Sequence, residues 1–361
     1  PNGNTFNLNN RFRGGDTISG ATGAMHWAFG KYRIQPTQGA THNAVNARPA
    51  VPNIQGSLKV ASFNVLNYFT TLDNSGLICG PTGNLGCRGA DDSTEFTRQR
   101  EKIIAALVAL NADIVGLVEI ENNATTAVQD LVNGLNAELG AGTYGFVNTG
   151  TIGDDAIKVA FIYKLATVEQ SGTAAVLTAD FDMGTAPRFN DDKNRPALAQ
   201  TFREKSSNEE VTIAVNHLKS KGSDCDTLGD IDQNDGQGNC NVTRTNGAQA
   251  LATWLATKPT GTSDDDVLII GDLNAYDKED PISALINAGY ADLIRDNLGE
   301  EAYTYVFDGQ YGYLDYAMAN APLVEQIAGV AVWQINADEP DIFDYDTSFK
   351  QPAQVALYEA N

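Results

Sequence analysis

Positive charge is what this 361-residue chain most lacks: 24 Lys and Arg stand against 46 Asp and Glu, a formal charge of −22. A protein that grips nucleic acid by bulk basicity is excluded, because its long-range field would repel phosphate. A basic membrane-surface anchor is disfavoured for the same reason. A locally basic cleft remains open, since surface fields fade beyond about 8 Å at physiological salt. Long apolar runs are missing too, and nothing approaches the roughly 18 residues of a membrane-spanning helix. No secretory leader is present, and the opening PNGNTFNLNNRF reads as the interior of a longer, processed or trimmed protein.

Cysteine is scarce and oddly placed. Cys79 and Cys87 bracket CGPTGNLGC, and Cys225 and Cys240 bracket CDTLGDIDQNDGQGNC. Both intervals are rich in Gly, Asn and Asp, as surface loops are. Neither has the CxxC spacing of zinc or redox sites. Two local disulfides, formed in an oxidising compartment outside the cytoplasm, are the reading that fits a secreted protein; four free cytosolic thiols are the alternative.

What is present suits a folded core: 42% of residues are hydrophobic and 19% charged. The length fits one large domain or two moderate ones. Residues 1–53 stand apart. FRGGDTISGATGAMHWAFGKYRIQP predicts two or three strands carrying Trp27, Phe29, Tyr32 and Ile34, and THNAVNARPAVPNIQG reads as a linker. A piece this short makes a marginal core, so it is expected to pack on something else, as the remnant of an upstream β-domain. From Leu58 strands and helices alternate, without an internal repeat. LKVASFNVL, DIVGLVEI, IKVAFIYK, PALAQTF, EVTIAVNHL, DDVLIIGDLNA and YLDYAMAN predict strands. Helices are predicted over EFTRQREKIIAALVALNAD (Ile103, Ile104, Leu107 and Leu110 on one face), ATTAVQDLVNGLNAEL, Thr243–Ala256 and near Ile282–Ala288. Strands outnumber helices and form two flanked groups, which favours an α/β sandwich over a singly wound sheet.

Four of the apolar strands end in a polar side chain: Asn64, Glu119, His217, and Asp272 with Asn274. One such end is commonly a satisfied cap. Four of them, of types suited to a hard cation and to proton transfer, point to a site at one sheet edge. Glu119 and Asp272 offer oxygens to Mg²⁺, Mn²⁺ or Ca²⁺, and no Cys/His cluster supports zinc. Asn64 and Asn274 can bond phosphate, or complete a metal shell, without adding charge. Arg195 offers a planar fork that matches phosphate. His217, the only histidine beyond the N-terminal segment, stands near Lys219 and Lys221. Together these residues suit metal-assisted phosphodiester hydrolysis.

The ordered phrases SFNVLN, LVEIEN, NHLKSKG, GDLNAY and YLDYAMAN resemble the endonuclease/exonuclease/phosphatase superfamily that includes deoxyribonuclease I. RFRGGDTISG, FGKYRIQP and ASFNVLNYF further resemble large secreted bacterial nucleases of the ExeM/NucH type. The superfamily resemblance runs from about Ser57 to the end, making residues 54–361 the catalytic domain. It implies a four-layer α/β sandwich with two mixed sheets and the active site at one edge. It also implies Glu119, with Asn64, as the metal site, and Asp272 and Asn274 as the pair that orients the nucleophile and binds phosphate. His217 becomes an acid–base group, Arg195 a phosphate contact, Asp315 the aspartate behind a second histidine, and Asp155 a residue that orients His217; Lys219, close after His217, is a further candidate for contacting phosphate. The chain departs from the family in lacking its closing Ser-Asp-His motif: no histidine follows His217. A missing tail is the expected explanation.

The expected activity is that of a secreted, Mg²⁺- or Mn²⁺-dependent monomeric nuclease. It would cut DNA (RNA remaining open) with little sequence preference and leave 5′-phosphate ends. A phosphoesterase of lipid or small phosphates on the same fold is one alternative, and a Ca²⁺-stabilised binding module with an impaired site is another. For the latter, GDIDQNDGQGN places Asp230, Asp232, Asn234 and Asp235 among glycines, resembling a Ca²⁺ loop, but its Gly comes one position late and the closing Glu is absent.

Overall fold

The computed structural model describes residues 2–184 and 187–358. Asp92 starts the first helix, α1 (Ser93–Leu110): its carboxylate accepts the backbone N–H groups of Thr94 and Glu95, satisfying donors no helical carbonyl can reach. Ile103, Ile104 and Leu107 are buried on one stripe and face α2 (Thr126–Leu139), whose Val128, Leu131 and Leu135 repeat the pattern. Both helices cover the outer face of a first sheet. Its members are β5 (Val60–Tyr68), β8 (Ile114–Glu121), β10 (Ile157–Lys164) and β9 (Tyr144–Phe146), in the order β5-β8-β10-β9. β5 and β8 run parallel, and the other pairs antiparallel.

The second sheet has the order β11-β12-β13-β14-β18-β15. Its strands are β11 (Val168–Leu177), β12 (Arg195–Glu204), β13 (Glu210–His217), β14 (Val267–Asp272), β15 (Tyr290–Asp292) and β18 (Asp315–Asn320). Only β13 and β14 are parallel, joined through α3 (Asn241–Ala256), as parallel neighbours require a crossover. The two sheets meet through Val118, Val159 and Phe161 on one side and Phe202, Val215 and Ile270 on the other. The second sheet's outer face packs Ala199, Ala214 and Ile269 against Leu251 and Leu255 of α3 and Leu285 of α4 (Asp280–Asn287). A short α5 (Leu293–Leu298) and α6 (Ala321–Val324) flank β15 and β18. The layers therefore run helix, sheet, sheet, helix, which is the expected four-layer sandwich with two mixed sheets. Strand β11 was not anticipated from the sequence, for its Ser171-Gly172-Thr173 core breaks the alternation where pairing with β12 shifts.

Residues 2–53 hold β1 (Thr17–Ser19) paired with β4 (Thr41–Asn43), and a hairpin of β2 (Gly23–Ala28) and β3 (Lys31–Pro36). Buried Arg13 anchors the segment to the chain's far end by pairing with Asp338 and Glu339, and Asn46 donates to Asp338 at 3.0 Å. Two further small hairpins, β6 (Leu77–Cys79) with β7 (Leu85–Gly86) and β16 (Tyr305–Phe307) with β17 (Gln310–Gly312), rise from the loops. Both expected cysteine pairs are bonded, Cys79–Cys87 closing the first hairpin and Cys225–Cys240 closing the loop after β13.

Candidate active site

Strand register assembles the site. Arg195 of β12 lies opposite His217 of β13, His217 opposite Asp272 of β14, and Asp272 opposite Asp315 of β18. A guanidinium, an imidazole and two carboxyls thus stand in one row across the second sheet. Gly271 makes the row possible. It sits at φ 111°, and a Cβ there would come 2.1 Å from the carbonyl oxygen of Asn216, so only glycine lets β13 and β14 approach this closely.

The first sheet contributes Glu119 through a distortion. Glu119 has φ 66°, in the left-handed region that a glutamate rarely adopts, at the point where the pairing of β8 with β10 shifts. On the parallel neighbour, Leu66 and Asn67 are also left-handed where β5 shifts against β8. The paired bulges turn the Glu119 carboxylate to accept from Asn64 Nδ2 at 3.0 Å and from Asn67 N–H at 3.1 Å. Such strain persists only where its surroundings over-determine it, and it clusters at functional sites.

The electrostatics follow from this crowding. Burial, then the charges of Asp315 and Glu119, push the Asp272 carboxyl well above its ordinary range. Burial and Glu119 push Asp315 up to about 6, although Thr304 Oγ1 donates to it at 3.3 Å. Three carboxylates within mutual electrostatic influence thus concentrate negative charge at this end of the two sheets, and their oxygens are of the type a hard divalent cation takes. Among the described residues no three acidic, His or Cys side chains come together as a group that could hold a metal ion.

His217 is buried, and burial together with Arg195, Arg88 and Lys219 drives its pKa well below the ordinary histidine value. The ring is therefore neutral at pH 7. Arg195 Nη1 lies 3.4 Å from Nε2, and a guanidinium can only donate, so this contact assigns the lone pair to Nε2. Nε2 is also 3.8 Å from Asp272, while Nδ1 has no hydrogen-bond partner among the described residues.

Three expected roles change. Asp155 does not orient His217: its carboxylate accepts from Arg195 Nε at 2.9 Å and from Arg88 at 2.9 Å, because two guanidiniums reach it first. Lys219 lies close enough to depress the histidine, but its ammonium is committed to Ser220 and Ser223 rather than presented beside Arg195. Asn274, left-handed at φ 48°, donates its amide to the Leu218 carbonyl at 3.0 Å and its N–H to Asp272 at 2.7 Å, locking two strand ends together. The acidic loop is not a ligand set either. Asp230 turns inward and accepts the N–H groups of Val242 and Thr243 at the start of α3, whereas Asp232 and Asp235 close local turns onto Asn234 and Gln237. The expected calcium site is therefore not formed by Asp230, Asp232, Asn234 and Asp235.

The sequence reading missed four supporting residues. Arg88 directly follows Cys87, so the first disulfide presents it. Buried Arg244 donates to the carbonyls of Lys219, Gln237 and Asn239 and closes the base of the second disulfide loop. Asn194, beside Arg195, accepts the Lys219 N–H at 2.9 Å. Buried Lys158 ties the Ala124 and Gly150 carbonyls, joining the loops that flank Glu119.

The sequence family described as Endonuclease/Exonuclease/phosphatase family matches residues 61–338. No curated protein sequence matches the chain. Among solved structures, the human Nocturnin catalytic domain with bound sulfate is similar at 18% identity and a TM-score of 0.48, over 74% of this chain and 85% of that one. A Bacteroides thetaiotaomicron mannosyl-6-phosphatase is similar at 14% identity and a TM-score of 0.48, over 73% and 85%. D. rerio TDP2 complexed with single strand DNA product is similar at 13% identity and a TM-score of 0.40, over 63% and 79%.

Proposed function

The chain belongs to the Endonuclease/Exonuclease/phosphatase family, and from that premise we propose that it is a secreted, divalent-metal-dependent nuclease. Its substrate is extracellular DNA, cut with little sequence preference to leave 5′-phosphate ends. The observation that carries this reading is the row Arg195–His217–Asp272–Asp315 facing a Glu119 aimed by paired bulges. Glu119 and Asn64 would hold a Mg²⁺ or Mn²⁺ ion, which neutralises charge developing on the phosphate. Arg195, fixed by Asp155, binds a non-bridging phosphate oxygen. Asp272 orients the attacking water, and Asn274 keeps Asp272 and the segment after His217 in register. His217 Nε2, neutral and carrying a lone pair, is available to take a proton at neutral pH. The two disulfides support an extracellular location. Residues 2–53 dock on the rest of the chain through Arg13 and Asn46.

Digestion of plasmid DNA tests this. Cutting should require added Mg²⁺ or Mn²⁺, stop with EDTA, and fall by about 10²–10⁴-fold in His217→Ala. Metal-independent cutting, or a variant that cuts equally well, would defeat the assignment.

A further inference from the structure

A chain of charge −22 that acts on DNA must hold it by something other than net attraction. Beside the catalytic row the structure offers apolar, planar surface instead. Tyr276 follows Asn274 by two residues, and Lys221 Nζ lies 4.6 Å from its ring centroid. The hairpin β16–β17 stands next to it. On one face it carries Tyr305 and Phe307, opposite Gly312 and Gln310 respectively. Gly312 keeps that face open to Tyr276: a Cβ there would meet the Tyr276 ring at 2.8 Å. Tyr305 and Phe307 are nearly parallel, with interplanar angle 13° and centroids 6.3 Å apart, and both are solvent-exposed, Phe307 at 61%. The base of the hairpin belongs to the site, because Thr304 bonds Asp315 and the Asp272 charge acts on Tyr305. At its tip, Asp308 pairs with Lys31 at 2.6 Å. That contact brings in the second hairpin, β2–β3, whose exposed Trp27 and Tyr32 rings contact each other at 4.6 Å.

We infer that Tyr276, Tyr305 and Phe307 form a stacking platform for the unpaired bases of a single DNA strand whose scissile phosphate lies at Arg195 and His217, with the Trp27/Tyr32 hairpin extending it outward. This deepens the nuclease reading above and rests on it. Three features select this occupant. The rings start at the catalytic residues and run away from them, as a strand leaving the site does. Their nearby cations, Lys31 and Lys221, are already paired with Asp308 and Glu279, so the surface contributes stacking rather than phosphate attraction. Base faces are uncharged, so the acidic body does not oppose them, and duplex DNA keeps those faces covered.

The test is fluorescence anisotropy of a labelled oligothymidylate in EDTA, which prevents cutting, using the whole chain. Phe307→Ala and Tyr305→Ala should each weaken binding by about tenfold, and Phe307→Leu should behave like the alanine despite keeping apolar bulk. Duplex affinity should change far less, so the single-strand preference falls. Thermal melting confirms that each variant is folded. Unchanged oligothymidylate affinity in folded variants overturns the platform while leaving the nuclease reading intact. Loss of concentration-dependent self-association in the same variants, without a binding defect, reassigns the face to a second copy and also overturns it. Failure of the parent protein to cut DNA with Mg²⁺ overturns the nuclease reading itself.

Discussion

Asp155 shows how much of this site depends on single charges. Its carboxylate holds Arg195 on one oxygen and Arg88 on the other, and both guanidiniums act on His217. Asp155→Asn keeps the volume but gives up charge-assisted bonds, each worth about 1.5–3 kcal/mol. We expect kcat/KM on DNA to fall by about 10–100-fold. KM should carry much of the loss, since Arg195 would no longer be fixed where phosphate binds. A variant with unchanged KM and kcat would show that Arg195 needs no anchor. A second single-residue effect is readable in stability. Burial pushes the Lys158 ammonium from 10.5 down to about 8, so charging it costs the folded state. Between pH 8 and 10.5 the unfolded chain holds the extra proton, and stability rises with pH there by up to about 1 kcal/mol per unit. Below pH 8 both states are protonated and the cost is constant. Urea unfolding at pH 7.5 and 9.5 should show this rise in the parent and lose it in Lys158→Met. An identical rise in the variant would assign it to other groups.

At the scale of elements, the strand ends were legible and their geometry was not. Apolar runs that terminate in Asn64, Glu119, His217 and Asp272 announce side chains at one sheet edge. The helix over Ser93–Leu110 follows from periodicity and its Asp92 cap, whereas Asn241–Ala256, expected from Thr243, has no cap of its own and receives Asp230 from the preceding loop at its first N–H groups. Nothing in LVEIEN reveals that Glu119 lies in a left-handed bulge, because a bulge depends on the partner strand. Likewise Arg88 and Asp155 meet across 67 residues of sequence, a pairing no local pattern encodes. β11 escaped notice because an edge strand with one exposed face and an interior glycine loses its alternation. Gly271 marks where element packing and chemistry meet. Gly271→Ala would drive a Cβ into the Asn216 carbonyl and force β14 away from β13. The expected cost is about 2 kcal/mol or more, measured as a lower urea midpoint. The protein that remains folded should also cut DNA more slowly, because Asp272 follows directly. Unaltered stability and activity would mean that the close approach is not needed.

Across the whole molecule, the acidic balance and the substrate proposed above set a third constraint. Phosphate approaches a body of charge −22, so the long-range field opposes encounter even though Arg195 attracts at short range. Salt screens the long-range part first: the screening length falls from about 30 Å at 0.01 M to about 10 Å at 0.1 M ionic strength. Basic DNA-binding proteins lose affinity steeply over that interval, because each neutralised phosphate releases counterions. This chain should do the reverse. At fixed, saturating Mg²⁺, kcat/KM on plasmid DNA should rise as NaCl increases from about 10 to 100 mM, and decline only above that, where contacts at Arg195 begin to be screened. Replacing exposed acids at the opposite end of the strands, such as Glu138 and Glu209, with Gln should flatten the rising limb without moving kcat. The measurement is initial rate against salt at several DNA concentrations. A steep, monotonic loss from the lowest salt would show that DNA is held by a basic surface, and the account of an acidic enzyme gripping its substrate locally would be wrong.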